Sequence, residues 1–397
     1  MTAPIADLAQ LLDPVTPEAF FRDHHLKRPL HIPAPRPDKL AGVMGWDDLS
    51  AILSQSGAWT AHSLELVLDH RKVAAQDYCR PGVGREGGQQ LLADLELVSS
   101  WLRRGASLVL NDIDTLTPGL KAAADALERA TGGKVQSNLY CSWKAHPAFG
   151  SHFDTHDVYA LHLAGEKTWR VYGRHIEDPI AHPAFKQLGQ EYHDRNKGPI
   201  TMEVTLRPGD VLYLPRGWYH DALASSEATF HVAFGVTPVI GLDLLSLMFE
   251  AAVQDPLFRR AFPPASDRAA VAAHVAALGA RLSLLSKDPG TVDRMLARMA
   301  EQRYRRGTIR LPDDALERRW RRKSASIRVE TVQGRPVITD GKQGAPVPAE
   351  VADAVAWTLG RDGFAEDEFA AAFPAMAEGA RTKLLSDLAA MKVLVAG

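Results

Sequence analysis

The run His152-Phe153-Asp154-Thr155-His156-Asp157-Val158-Tyr159-Ala160-Leu161-His162-Leu163-Ala164-Gly165-Glu166-Lys167-Thr168-Trp169 decides how this chain is read. Residues two apart on an extended strand point to the same face, so His152 and Asp154 are presented together. A histidine and a carboxylate in that relation make two thirds of a 2-His-1-carboxylate facial triad. Such a triad holds Fe(II) by one face and leaves the opposite positions open. An isolated pair of this kind arises by chance, and the chain has 15 histidines. Its company gives the pair weight: a region of short strands, a second histidine behind a rigid turn, and a lysine on an apolar strand face.

The second histidine is His220, at the end of Pro208-Gly209-Asp210-Val211-Leu212-Tyr213-Leu214-Pro215-Arg216-Gly217-Trp218-Tyr219-His220. Pro208 to Asp210 reads as a turn, Val211 to Leu214 as a strand, and Pro215 to Gly217 as a second turn that aims the following imidazole. His231, on a later strand, is the rival third ligand but lacks such a turn before it. His156 shares the face of His152 and Asp154. Three ligands from one straight strand do not converge easily on one metal, so His156 is read as supporting the site or facing substrate. Lys167, Trp169 and Val171 share a strand face. An ammonium there is costly unless an anion meets it; the other reading is a lysine whose stem lies on the apolar face while its head reaches water. Asn138, Tyr140 and Ser142 alternate with Leu139, Cys141 and Trp143, a polar strand face that suits a wet pocket or a half-exposed strand.

Composition sets the frame. At 397 residues the chain is long enough for two to three domains. With 46% hydrophobic and 24% charged residues it can bury a core, which argues against global disorder. A net charge of -2 gives no reason to expect general polyanion binding. Two distant cysteines, Cys79 and Cys141, exclude a disulfide framework or a zinc knuckle and suit a reducing, cytoplasmic setting. No basic segment followed by an apolar one opens the chain, and no unbroken run approaches 18 apolar residues, so neither export nor a membrane helix is expected.

Around the decisive run, the chain changes texture twice. Thr16-Pro17-Glu18 starts a helix, Arg28 to Pro33 is extended, and residues 45–130 mix helical pieces (Trp46 to Leu53, Gly88 to Leu95, Gly119 to Ala130) with a strand at Ser107 to Leu110. From Val135 to Val239 short strands alternate with Gly and Pro turns, as in an antiparallel barrel or sandwich. Past Pro238, Gly241 to Ala261 and Asp267 to Leu285 are helical. The last ninety or so residues carry a hairpin around Gln333-Gly334, three helical patterns and a short final strand, which suits a winged-helix module.

The two motifs resemble the signatures of the cupin-type JmjC ribosomal oxygenases, and Phe20-Phe21-Arg22-Asp23-His24-His25-Leu26-Lys27-Arg28-Pro29-Leu30 is similar to the N-terminal segment of that group. The resemblance implies an α+β chain: a double-stranded β-helix (cupin/JmjC barrel) over 1–240, a helical dimerisation region over 241–305, and a winged-helix-like domain over 306–397. It implies Fe(II), 2-oxoglutarate and O2, with His152, Asp154 and His220 as catalytic metal ligands. Lys167 matches the basic residue that receives the distal carboxylate, and Asn138, Tyr140, Ser142 and His231 are the further candidates for the cosubstrate pocket. The implied reaction is hydroxylation of a protein side chain, histidine or arginine of a ribosomal protein, with decarboxylation of 2-oxoglutarate to succinate. Two departures stand out: His162 where the group often carries glutamine, and His24-His25 where a tryptophan is common.

Two other classes stay open, a peptide or small-molecule hydroxylase with the same iron site and a non-catalytic metal-cupin sensor. The basic stretch Arg303 to Lys323, nine Arg/Lys against three Asp/Glu, fits RNA or an acidic partner. Equally, it fits the solvated side of a helix burying Leu316 and Trp320. Thr382 to Met391 offers only Arg381 and Lys383 nearby as base-reading residues, so sequence-specific DNA binding is not expected.

Overall fold

The computed structural model describes residues 4–396, apart from 56, 85–86, 144–148, 227, 305, 308–318, 325, 333 and 342. Two compact units divide the chain, Met1–Arg306 and Gly307–Gly397.

The first unit opens with helices α1 (Leu8–Leu12) and α2 (Pro17–Asp23), strand β1 (Leu30–Ile32) and α3 (Trp46–Leu53). Then come β2 (Leu64–Leu68), β3 (Arg71–Lys72), β4 (Cys79–Val83), β5 (Gln89–Ala93), α4 (Leu95–Arg103), β6 (Ser107–Leu110) and α5 (Pro118–Thr131). Next are β7 (Lys134–Trp143), β8 (Asp157–Ala164) and β9 (Lys167–His175), with the short helices α6 (Pro183–Lys186) and α7 (Gln190–Asn196). The remaining strands are β10 (Ile200–Leu206), β11 (Val211–Leu214), β12 (Trp218–Ala224) and β13 (Ala228–Thr237). Helices α8 (Gly241–Gln254), α9 (Pro256–Arg259), α10 (Arg268–Lys287) and α11 (Pro289–Glu301) end the unit.

Two sheets make the barrel. The larger runs β1-β11-β8-β13-β7-β6-β2-β3, the smaller β10-β9-β12, and every pairing is antiparallel. Alternation sends one set of side chains between the sheets and the other outward. Val158, Ala160, Trp169, Val171, Leu206 and Leu212 pack between them. The outer face of the larger sheet buries Leu139, Tyr159, Tyr213 and Phe234 against the helical layer, with Leu11, Phe20 and Leu127 among its partners. His24-His25 belongs to this packing: the His25 ring meets Phe20, Phe21 and Tyr213.

Several expectations need correction. Gly88 to Leu95 is not helical; Gln89–Ala93 is a strand held by its hairpin partner β4, pairing that outweighs the local preference of Gln and Leu. His220 lies inside a strand, β12, and His152 to Asp154 lies in a bend with one bridge, His152 to His220. Helix α11 falls within the region 241–305 expected to be helical, although its own bounds were not singled out. Helix α10 is long and apolar enough, by length and composition alone, to cross a membrane, with none of its apolar window buried inside the chain. An unbroken apolar run was too strict a criterion, because Arg281 and His274 interrupt the sequence without lowering the helix's average much.

In the second unit the described elements are β14 (Arg319–Arg322), β15 (Arg328–Val332), β16 (Arg335–Thr339), β17 (Gly344–Pro346), α12 (Ala352–Leu359), β18 (Gly363–Ala365), α13 (Glu366–Ala372), α14 (Glu378–Ala390) and β19 (Leu394–Ala396). Its sheets run β18-β14-β19 and β15-β16-β17, around Val355, Leu359, Phe364, Phe369, Leu385 and Leu388. Trp320 lies on a strand and not on a helix, its indole donating to Glu366 at 2.8 Å. Leu316 and most of the basic stretch fall outside the described residues, as does Gln333. Arg381 donates to the carbonyl of Met376, and Lys383 pairs with Asp387.

The turn ahead of β12 depends on Gly217. Its φ is +86°, and a Cβ there would stand 1.9 Å from the carbonyl oxygen of Ile176. Gly132, after α5, has φ +69° with open space around it. Gly132→Ala is therefore expected to cost about 1 kcal/mol, the left-handed backbone penalty alone. Gly217→Ala should cost more than about 2 kcal/mol, because backbone must move. Urea unfolding of both variants checks this; equal losses would overturn the steric account.

Candidate active site

The site is assembled where the Pro215–Gly217 turn meets the bend after β7. His152 N–H donates to the His220 carbonyl at 3.0 Å, and His220 N–H returns a bond to the His152 carbonyl at 2.8 Å. Gly217 N–H donates to the Asp154 carbonyl at 2.8 Å, and Arg216 N–H to the Asp157 carboxylate at 2.9 Å. Four backbone donors thus hold two segments about 65 residues apart in one register.

Fixed this way, His152, Asp154 and His220 bring one ligand atom each to within 4.8 Å of one another. Both imidazoles are oriented by backbone carbonyls: His152 Nδ1 lies 2.9 Å from the Gly150 oxygen, and His220 Nδ1 lies 2.9 Å from the Trp218 oxygen. A carbonyl only accepts, so Nδ1 carries the proton and Nε2 presents a lone pair, the arrangement a metal needs. Nε2 of His220 lies 3.6 Å from Asp154 Oδ2. Burial, then the neighbouring His152, pushes the His220 pKa down to about 4, so the ring is neutral. Burial works against a charged Asp154, yet the imidazoles of His156, His152 and His220 hold its carboxyl below the ordinary value. Two imidazoles whose Nδ1 atoms are held by backbone carbonyls, together with a carboxylate, fit a divalent metal.

A cavity of about 270 Å³ adjoins the triad, and its lining follows the two-residue period of the strands. Gln136, Asn138 and Tyr140 come from β7, Lys167 and Trp169 from β9, His220 and Ala222 from β12, and His231, Ala233 and Gly235 from β13. Exposed Asp112 and Gln136 mark its mouth. Lys167 lies at the other end, 5% exposed. Burial pulls its pKa down to about 8, partly offset by the nearby Cys141 thiol. Among the described residues no carboxylate pairs with this ammonium, and its burial sets it apart from a lysine whose head reaches water. Tyr140, buried and near Asp154, is raised to about 12 and keeps its phenolic proton.

Not every candidate reaches the cavity. Ser142 shares the parity of Asn138 and Tyr140, but it sits where β6 covers β7 and bonds the Ser107 hydroxyl at 2.8 Å. It does not line the pocket. His231 lines the cavity but stands outside the three-ligand cluster. His156 also lines it, its ring against Gly235, where a Cβ would come within 3.0 Å. His162 is buried behind the cavity, its Nε2 2.9 Å from the Gly165 carbonyl. Gln136 and Gly235 were missed in the sequence, although parity with Asn138 and His231 pointed to them.

A barrel of two antiparallel sheets with this triad is what a JmjC domain of cupin type presents. The JmjC domain model matches residues 115–244. The chain is 24% identical over 221 residues to the bifunctional lysine-specific demethylase and histidyl-hydroxylase NO66 of Drosophila persimilis, covering 56% of this chain and 30% of that protein. It is 24% identical over 264 residues to ribosomal oxygenase 1 of Danio rerio (64% and 45%) and 25% identical over 275 residues to ribosomal oxygenase 2 of Rattus norvegicus (66% and 55%). The matched region is thus about a third to about half of each of these relatives. Among solved structures, E. coli ycfD aligns over 96% of this chain and 98% of its own, with a TM-score of 0.50 and 17% identity. The chain thus carries a JmjC domain and is similar, at about a quarter identity, to proteins named ribosomal oxygenase.

Burial holds His162 at a pKa of about 4, against 6.5 for the free side chain. A depressed histidine stabilises the fold fully above the unfolded value, and that contribution is lost as pH falls from about 6.5 towards 4. The metal-free protein should therefore melt at progressively lower temperature across that window. His162→Gln, which cannot take up the proton, should flatten the slope. An unchanged slope in thermal melts would sink this account.

Proposed function

We propose that the chain is an Fe(II)- and 2-oxoglutarate-dependent oxygenase that hydroxylates a protein side chain, histidine or arginine of a ribosomal protein. One observation carries the reading: a metal-competent triad and a buried, carboxylate-free lysine line the same cavity. When bound, the iron and its 2-oxo acid supply the oxidising chemistry. The protein's part is to hold them and to place the substrate. His152, Asp154 and His220 would occupy one face of the metal and leave the other open. Along β9, Lys167 is four residues from Val171, the register partner of His220, or about 13 Å of strand. The lysine stem shortens that span, leaving room for a short dicarboxylate between ammonium and triad. Asn138 and Tyr140 line the wall between them as polar contacts, and apolar Trp169, Ala222 and Ala233 limit water.

The substrate assignment rests on the relatives' names, two ribosomal oxygenases and a histidyl-hydroxylase; the cytoplasm is the compartment that suits a ribosomal target. The catalytic part is assigned to residues 1–240 and an association part to 241–305. The three helices and small sheets beyond are read as winged-helix-like. A second copy of the chain is the expected partner for α8 and α11. Leu242, Leu245, Phe249 and Val253 form one exposed apolar stripe on α8, and Val292, Leu296 and Met299 another on α11.

Anaerobic addition of Fe(II) and 2-oxoglutarate should produce the weak visible charge-transfer band of the chelate. It should vanish in His220→Ala, persist in His231→Ala, and require a much higher cosubstrate concentration in Lys167→Ala. No band in the wild-type protein, with another divalent metal retained, would overturn the oxygenase and favour the sensor. Light scattering should give a dimer mass, reduced to a monomer by Phe249→Glu with Leu245→Glu. A monomeric wild-type protein would refute the dimer.

A further inference from the structure

Ser151, Phe153 and Tyr219 each stand next to a metal ligand, yet none of them lines the cavity. They meet a single segment of the chain instead, residues 176–198, which joins β9 to β10 and carries α6 and α7. No residue of that segment lines the cavity either, so it approaches the site from behind. Phe153 and Tyr219 are buried in a small cluster with Ile176, Phe185 and Leu188. The His193 ring of α7 meets both edge to face, at 5.5 Å and 5.7 Å. Apolar packing of this kind is non-directional and does not by itself fix how a neighbouring imidazole is turned.

The contacts at Ser151 are directional. The Gly150 carbonyl orients the His152 ring, but among the described residues neither Gly150 nor Ser151 makes a backbone–backbone hydrogen bond. Side chains on one face of α7 hold this stretch. Gln190 donates its amide to the Ser151 carbonyl at 2.9 Å. It lies so close over Gly150 that a Cβ there would stand 2.4 Å from Gln190 Oε1. Ser151 itself is 3% exposed; its hydroxyl accepts from Lys197 Nζ at 2.9 Å and donates to the Asp194 carboxylate at 3.0 Å. Lys197 also pairs with Asp194, at 3.1 Å, above the face of the Tyr172 ring. The spacing 190, 194, 197 puts the three side chains together along the helix. The carbonyl and the hydroxyl of Ser151 are thus both tied to α7, which leaves the Gly150 carbonyl little freedom.

We propose that Gln190 and Lys197 are positioning residues for the metal site: by holding Ser151 from behind they fix the Gly150 carbonyl, hence the rotation of the His152 ring, and so set the affinity for the metal. The inference rests on the metal site of the oxygenase reading and not on its cosubstrate. Removing an outer contact of a metal-ligating histidine weakens metal binding about 10–100-fold. Gln190 is exposed and Lys197 only half-buried, so replacing either should affect the metal far more than the fold.

The test compares wild type with four variants. Gln190→Leu and Lys197→Met keep the bulk and remove the donors, whereas Lys197→Arg keeps a donor. Arg195→Ala removes an α7 side chain that pairs with Glu191 on the exposed side of the helix. Each protein is titrated with Mn(II) alone, followed by the magnetic resonance signal of the free ion, and the metal-free form is unfolded in urea. The expected result is Mn(II) binding about tenfold or more weaker in Gln190→Leu and Lys197→Met, close to wild type in Lys197→Arg and Arg195→Ala, with urea midpoints unchanged. Wild-type affinity in both Gln190→Leu and Lys197→Met overturns the inference and leaves the triad standing. A loss shared equally by Arg195→Ala, or matched by a fall in the urea midpoint, also overturns it, by showing a general loosening of α7. A wild-type protein that binds no Mn(II) fails the metal site itself, and the inference with it.

Discussion

The reciprocal backbone pair between His152 and His220 is the constraint from which the rest of the site follows. It is a single antiparallel bridge outside any continuous ladder, and it joins the bend before β8 to the start of β12. Because each residue both donates to and accepts from the other, neither imidazole can shift along its chain without breaking two bonds. The Gly217 bond to Asp154 and the Arg216 bond to Asp157 extend the same lock on either side. Metal-ligand geometry is usually supported by outer contacts that fix ring orientation. In this protein those contacts are backbone carbonyls, Gly150 for His152 and Trp218 for His220, so the orientation is set by chain path and not by exchangeable side chains.

How much of this was legible in the sequence depends on whether the information was local. Strand parity is local. It placed Lys167 with Trp169, and Asn138 with Tyr140, and the cavity follows those pairs. The Pro and Gly turns before β11 and β12 are local too, since positive φ at Gly209 and Gly217 demands that residue type. What parity cannot give is which part of a strand's face is covered by another strand. Ser142 has the right parity but lies under β6, where the Ser107 hydroxyl takes its hydrogen bond. The His152–Asp154 pair was rightly read as sharing a direction but wrongly as strand. The bend there is imposed by pairing with a segment about 65 residues away.

Elements outside the barrel show the same division. Trp46–Leu53 and Ile200–Leu206 carry their own periodicity and end where it ends. Gln89–Ala93 and Arg319–Arg322 do not. Each is a short stretch of residues with good helix propensity that becomes a strand because a neighbour supplies the ladder: β4 in one case, β18 and β19 in the other. Propensity at that length is worth only tenths of a kcal/mol per residue, less than one large side chain such as the half-buried Trp320 gains against its partners.

The electrostatics of the cavity form one argument with its geometry. Burial acts on His220, His231, Asp154 and Lys167, which all line it, but with different results. It drives His220 and His231 to their neutral forms, while Asp154 keeps its charge because imidazoles surround it. Lys167 is weakened only to about 8, so near neutral pH it still carries most of its proton. The cavity therefore holds one fixed negative charge at the triad and one fixed positive charge at the closed end, with neutral donors between them. An added divalent cation would be met by the first and an added carboxylate by the second. A histidine's protonated nitrogen is chosen by what the other nitrogen touches. At the triad that choice is made by the carbonyls of Gly150 and Trp218, which leave Nε2 of each ring as the lone-pair nitrogen.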